Sequence, residues 1–361
     1  MTVAYPEEPD PFPGPRAPIP EPSRRLAALD LFRGLTVAAM LLVNNPGSWA
    51  AIYPPLAHAK WHGWTPTDLV FPFFLFIVGI TTDLSKKTPA KIFRRGAIIV
   101  LLGLAVNAFP FTPLSRFETL RYSGVLQRIG IVYIIAALLA RWLTRKQLVV
   151  TTAVILLGYW AILSMGPLEP PEATVAATVD RAVLGLKHTW KQSKTWDPEG
   201  PLSTLPAVAT CLLGIIAAPW VMSKRLRPLL LAGVIGMAAG LLWDLAFPIN
   251  KNLWTSSYVL FTAGCACVLL ALVTWLVDVR GSRWWTRPFV VFGVNPLIAF
   301  VGSGLMARIL GMTKLQPKLY KTAFAPYFEP RVASLLYALA FVTVWWAILE
   351  ILYRRKLILR V

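Results

Sequence analysis

The sequence predicts an all-α, polytopic membrane protein with about ten transmembrane helices and both termini in the cytoplasm. Hydrophobic residues fill 56% of the 361 positions, and only 15% are charged, against about a quarter in soluble domains. Mean hydropathy is +0.60. Apolar runs close to the ~20 residues needed to cross the hydrocarbon core recur along the chain. The net charge of +19 does not point to nucleic acid. Lys and Arg gather in the cytoplasmic loops of membrane proteins, and that alone raises the total.

Residues 1–23 are Pro-rich and acidic, without a basic start or an apolar core. They read as a flexible cytoplasmic tail and not as a signal peptide. Residues 24–361 read as one transmembrane domain. Its spans are expected at 28–45, 66–85, 92–110, 122–141, 147–166, 203–222, 228–247, 254–277, 288–306 and 332–352. Arg24 and Arg25 precede the first. Lys86, Lys87, Lys91, Arg94 and Arg95 follow the second, and Arg141, Arg145 and Lys146 the fourth. Lys224, Arg225 and Arg227 follow the sixth, Arg280, Arg283 and Arg287 the eighth, and Arg354, Arg355 and Lys356 the tenth. Every even-numbered exit is basic, which places those exits in the cytoplasm. The outer side then carries the loops 46–65, 167–202 and 307–331, long enough to roof a cavity. The three cysteines, Cys211, Cys265 and Cys267, fall in apolar runs and read as small core residues.

Polar groups at membrane depth are functional candidates because burying them is costly. In "LDLFRG", Asp30 and Arg33 share a helix face; they pair with each other, or Arg33 receives an anionic group. In "VNNPG", Asn44 either ends the first helix or offers an amide to a substrate carbonyl. In "GVLQRIG", Gln127 and the fork of Arg128 suit a phosphate or carboxylate, with pairing to a buried acid as the rival. In "FGVNPLIAFVG", Asn295 before Pro296 implies a kinked helix whose freed backbone groups are satisfied or line a cavity.

Two of the three histidines, His58 and His62, lie in "LAHAKWHGWTPTDLVFPFF". Their i, i+4 spacing is that of a metal pair, yet the glutamate of HExxH is missing and no further Cys or His is near, so no metal is expected. A histidine beside a carboxylate is also a general base with its orienting acid. Asp68 is that acid, or it caps the following helix with Thr65 and Thr67.

The ordered blocks "DLFRG", "LLVNN", "HAKWHGWTPTDLVFPFFLFIVG", "GVLQRIGIVY", "DPEG", "NKNLWTSSYVL" and "NPLIAFVG" run from Asp30 to about Gly302. Through them the chain resembles the transmembrane acyltransferases typified by heparan-α-glucosaminide N-acetyltransferase, as a bacterial relative. The resemblance implies a multi-pass enzyme of the bacterial inner membrane. Acetyl-CoA would be supplied from the cytoplasm, and the acceptor would be a glucosamine-type sugar amine on the outer side. It implies catalytic roles for His58, Asn44 and Asp68. Donor contacts are expected at Arg33, Gln127, Arg128 and Asn295, and acceptor contacts at Trp61, His62, Asp197, Lys251 and Asn252. The chain departs from the family in a longer, Pro-containing stretch between Asn44 and His58, and in carrying His62. The exposed apolar spans admit a homodimer. Two rival readings remain at this level. One is an amino-sugar or sugar permease without covalent chemistry. The other is a structural subunit, which leaves Arg128 and Asn295 unexplained.

Overall fold

A chain that leaves water must pair every backbone N–H and C=O within itself, and the α-helix does so inside one segment. The computed structural model describes residues 27–85 and 87–359, and there the regular structure is helical, with no strand. The Pro-rich stretch 1–23, with Arg24, Arg25 and Lys86, lies outside the described residues. The α-helices in order are α1 (Ala27–Asn44), α2 (Val70–Ser85), α3 (Pro89–Ala108), α4 (Val125–Trp142), α5 (Arg145–Leu163), α6 (Val175–Leu184), α7 (Pro201–Met222), α8 (Leu226–Asp244), α9 (Ser256–Thr274), α10 (Arg287–Val294), α11 (Pro296–Met312), α12 (Leu315–Ala323) and α13 (Pro330–Arg354).

Eight helical segments among the described residues are long and apolar enough to cross a membrane. The other two expected spans each have a physical peculiarity. Helix α3 has a span's length of 20 residues, but Lys91, Arg94 and Arg95 occupy its first two turns. The ninth expected span is broken: α10 and α11 meet at 86°, with Asn295 at the joint. Pro296 supplies no N–H at that point, so the helix cannot continue through it. The kink expected at Asn295–Pro296 is therefore a sharp bend, and α11 runs on to Met312.

The long helices alternate in direction, so the loops sort to two ends of the bundle. At one end the Lys224 ammonium donates to the Asp278 carbonyl (3.1 Å), and Arg287 and Arg354 both reach Glu350 (2.5 and 2.9 Å). At the other, the Gly47 N–H donates to the Ser334 carbonyl (3.1 Å) and the Gly63 N–H to the Ile249 carbonyl (2.7 Å). The largest apolar cluster gathers side chains of α1, α2, α4, α5, α7 and α9, with Leu75, Val132, Leu212 and Tyr258 fully enclosed. Helices α2 and α7 approach so closely that a Cβ at Gly79 would lie 2.0 Å from the Cys211 carbonyl oxygen. Cys211 and Cys267 are buried free thiols and Cys265 is half-buried, as expected of small packing residues. The loop 167–202 contains α6 and is tied to the histidine loop by a Trp61–Trp196 edge contact at 5.3 Å.

Candidate active site

The loop that enters α2 folds on its own carboxylate. Pro66–Leu69 forms a short 3-10 turn capped by Thr65, with Asp68 at the third position. The Thr65 N–H (3.0 Å) and the Ala59 N–H (3.0 Å) both donate to Asp68 Oδ2, while the Thr65 hydroxyl donates to the Ala57 carbonyl (2.6 Å). The Thr67 hydroxyl ties the turn to the Pro55 carbonyl (3.1 Å). Asp68 is 1% exposed, and its other oxygen, Oδ1, lies 2.7 Å from His58 Nδ1. Asp68 thus caps the turn and contacts His58 at once, so the two sequence readings of it do not compete. A carboxylate only accepts, so Nδ1 carries the proton and Nε2 presents its lone pair. The His58 side chain is 44% exposed.

A second loop, between α8 and α9, closes over the first. Asn250 is fully buried: its Oδ1 accepts the Leu253 N–H (2.9 Å), its N–H donates to Thr255 Oγ1 (3.0 Å), and its Nδ2 reaches His62 Nδ1 (3.3 Å). Trp254, at φ 53°, completes the turn by donating its N–H to the Lys251 carbonyl (3.1 Å). Lys251 is thereby aimed at the histidine. Its Nζ lies 3.0 Å from His58 Nδ1, 3.1 Å from Nε2 and 3.7 Å from Asp68 Oδ1. Burial pulls the Lys251 ammonium below the usual lysine range, with Asp68 and Glu199 opposing. His62 Nε2 faces the exposed Glu169 (3.1 Å), and Trp61 Nε1 donates to the Leu168 carbonyl (3.0 Å).

A third cluster joins the ends of α4 and α7. Arg121 forks onto Asp197, with Nε–Oδ2 at 2.8 Å and Nη2–Oδ1 at 2.5 Å, and also pairs with Glu199. Asp197 in turn donates its N–H to Asp180 Oδ2 (2.8 Å). Burial raises the Glu199 carboxyl, but Arg121, Arg128 and Lys251 outweigh it and hold the group below its ordinary value. Asp180 lacks such a cation at contact, and burial pushes it up to about 7. Gly200 is required beside it, because a Cβ there would fall 2.0 Å from Asp180 Oδ1.

Two cavities lie inside the bundle. The first, about 240 Å³, is lined by Asn44, Asn107, Arg121, Gln127, Ser303 and Arg308 among others. The second, about 120 Å³, lies towards the basic end and includes Arg95, Tyr133, Pro296 and Leu359. They share Met40, Leu126 and Phe300 as a common wall. Each holds a buried polar atom without a hydrogen-bond partner among the described residues: Gln127 Nε2 in the first, Tyr133 Oη in the second. A buried donor left unmade costs about 1–3 kcal/mol.

Comparisons with known proteins give the family. A family model described as heparan-alpha-glucosaminide N-acetyltransferase, catalytic, matches residues 25–235. The chain belongs to that family. Similar curated proteins include the heparan-alpha-glucosaminide N-acetyltransferase of Mus musculus, 27% identical over 409 aligned positions that cover 93% of this chain and 60% of the relative. The Homo sapiens protein of the same name is 26% identical over 407 positions, covering 92% and 59%. The chain thus spans about 60% of the length of these relatives.

The expected site residues of this N-acetyltransferase family member divide into those the fold brings together and those it does not. His58, Asp68, Lys251 and His62 meet at one place. Asn44 is not among them and lines the first cavity, as does Gln127. Trp61 is spent on Leu168 and Trp196, and Asp197 on Arg121. The carboxamide facing His62 belongs to Asn250 and not to Asn252, because the turn points Asn250 inward. Arg128 is 1% exposed in the first turn of α4, at the His58 end, where it bonds Gly200 and Ser203 and lies over Trp254 (5.0 Å). It therefore contributes nothing to a basic mouth at the other end. Arg33 pairs with Asp30 (3.2 Å) and donates to the Gly293 carbonyl (3.0 Å), the helix-face alternative. Asn295 clamps the C-terminal stretch, donating to the Leu357 carbonyl and accepting the Leu359 N–H, each at 3.0 Å. Arg121, Glu199, Asp180 and Tyr133 were not singled out in the sequence. Arg121 and Tyr133 sit in ordinary-looking context, while Glu199 was visible only as a member of "DPEG".

Proposed function

We propose that the protein transfers the acetyl group of acetyl-CoA to the amine of a glucosamine-type sugar, with His58 as general base. The donor arrives from the cytoplasmic, basic end, and the acceptor from the outer end of a bacterial inner membrane. The observation that carries this reading is the His58–Asp68 pair at 2.7 Å, with Asp68 buried and the His58 side chain 44% exposed. An acceptor amine is protonated at neutral pH. It must shed that proton before attack and a second one as the amide forms. An imidazole fixed in one tautomer accepts both in turn. Asn44 and Gln127, in the wall of the first cavity, offer amide groups to the donor's arm. His62 and Asn250 face the acceptor side.

Acetyl-CoA is a long, slim donor with an anionic head. Its pantetheine arm fits the two cavities that share Met40, Leu126 and Phe300, and its amides match the lone Gln127 Nε2 and Tyr133 Oη. The phosphates fall to the basic end. There Lys87 is held below the usual lysine range by burial and by the neighbouring cations Arg95 and Lys91. A cavity of about 290 Å³ lined by Lys87, Arg141 and Thr82 opens beside it. Crowded cations of this kind are relieved by an anion.

The test is transfer of label from radiolabelled acetyl-CoA to glucosamine by the purified protein. Wild type is expected to form N-acetylglucosamine, and His58→Ala to lose about 10²–10⁴ of the rate. Full activity in that variant overturns the assignment of the base. Sugar accumulation in proteoliposomes without any acetyl transfer overturns the enzyme and supports a permease.

A further inference from the structure

The geometry points to Lys251 as the general acid of the reaction, the group that protonates the sulfur of the departing thiol. The inference rests on the acetyltransferase reading and assigns to Lys251 chemistry at the leaving group in place of contact with the acceptor. Three observations support it.

First, Lys251 is not needed to satisfy Asp68. The carboxylate already accepts the His58 N–H and the backbone N–H groups of Ala59 and Thr65, and Lys251 stands off at 3.7 Å. Second, its position over His58 leaves the base free. Near-equal distances of 3.0 and 3.1 Å to the two ring nitrogens put Nζ over the face of the imidazole, since Cε1 blocks the in-plane point. The in-plane lone pair of Nε2 therefore stays open to the acceptor amine. Third, the side chain is held and mostly buried. The Asn250–Thr255 turn fixes its backbone, and the Gly63–Ile249 hydrogen bond ties that turn to the histidine loop. A lysine that burial makes readier to give up its proton is matched to a thiolate, whereas an exposed lysine is not.

The proton ledger closes. The ammonium first loses one proton through His58 to outer solvent. The free amine then attacks the thioester carbon, and its second N–H proton passes to His58 Nε2. As the C–S bond breaks, the sulfur takes a proton from Lys251 and leaves as the thiol. The imidazolium gives its proton to outer solvent, and the neutral Lys251 amine takes one back from solvent, so both groups are reset. The products are the acetamide and the free thiol, with one proton released.

The experiment compares two donors: acetyl-CoA, whose thiol is a poor leaving group, and the acetyl thioester of 4-nitrothiophenol, whose thiolate departs without help. With acetyl-CoA, Lys251→Met is expected to lower kcat by about 10²-fold. With the aryl thioester the deficit relative to wild type is expected to shrink to within about threefold. Lys251→Arg keeps the charge but does not release its proton, so it should behave as Lys251→Met does. His58→Ala should stay impaired with both donors. An equal deficit of Lys251→Met on both donors would mean a structural role, and rescue by Lys251→Arg a purely electrostatic one; either overturns the proposal. Wild type that transfers acetyl from neither thioester overturns the acetyltransferase reading itself, a separate failure.

Discussion

The two cavities and the His58 cluster lie in the same bundle and treat polar groups in opposite ways. Around Asp68 each carboxylate oxygen is met by a donor, and backbone N–H groups supply two of them. Along the cavities Gln127 Nε2 and Tyr133 Oη are buried with no partner among the described residues. A saturated network in a low-dielectric site is rigid and fixes a tautomer. An unsaturated wall costs stability until a ligand arrives. The proposed function assigns chemistry to the first and the donor to the second.

The strongest test of that contrast is Asp68→Asn. A carboxamide has one acceptor oxygen. If it faces the Ala59 and Thr65 N–H groups, its NH₂ faces His58 Nδ1 and forces the proton to Nε2. If it turns, the NH₂ opposes two backbone donors. In the first case kcat should fall by about 10²–10⁴-fold, the scale of a base in the wrong tautomer. In the second, stability should fall by about 1–3 kcal/mol from unmade hydrogen bonds. Acetyl-transfer assays alongside thermal melts in detergent distinguish the two. A variant with wild-type rate and melting temperature would show that the saturated network does nothing for the histidine.

Tyr133→Phe probes the other region and should have a smaller effect of opposite character. Removing an unpartnered buried hydroxyl leaves stability unchanged or raises it. If the hydroxyl serves the donor's arm, KM for acetyl-CoA should rise by about threefold to tenfold while kcat holds, since a lost hydrogen bond is worth about 0.5–1.5 kcal/mol. Donor-saturation kinetics with a melting curve give both quantities. A fall in stability with KM unchanged would make Tyr133 an ordinary core residue.

This contrast also explains what was legible in the sequence. Helices read well because apolar length and the need to pair the backbone decide them locally. The bend at Asn295 read well because proline acts on its own helix. His58 with Asp68 was visible because ten residues of one loop carry both. What did not show were pairings across the chain: Lys251 onto His58 from 193 positions away, or Arg121 onto Asp197 from 76. Arg128 illustrates the reason. Its type and its place in an apolar run suggested a ligand, but its actual surroundings, Gly200, Ser203 and Trp254, come from distant segments that only packing assembles.

The His58 end is not saturated throughout, since Arg128 Nε and Nη1 and Asp180 Oδ1 are buried without a partner among the described residues, and Asp180 gives the smallest effect. Its Oδ1 has no partner among the described residues, and burial raises its carboxyl from 3.8 to about 7. A raised acid binds its proton more tightly in the folded than in the unfolded chain. Between about pH 4 and 7 the native state therefore holds the extra proton, and stability falls as pH rises through that window. Above pH 7 the penalty is complete, on the order of 1–4 kcal/mol at about 1.4 kcal/mol per unit. Asp180→Asn removes the titration but keeps a group that can accept the Asp197 N–H. The variant should melt at higher temperature than wild type at pH 8, and the gap should close towards pH 4. A gap that stays constant with pH would show that Asp180 carries no shifted proton.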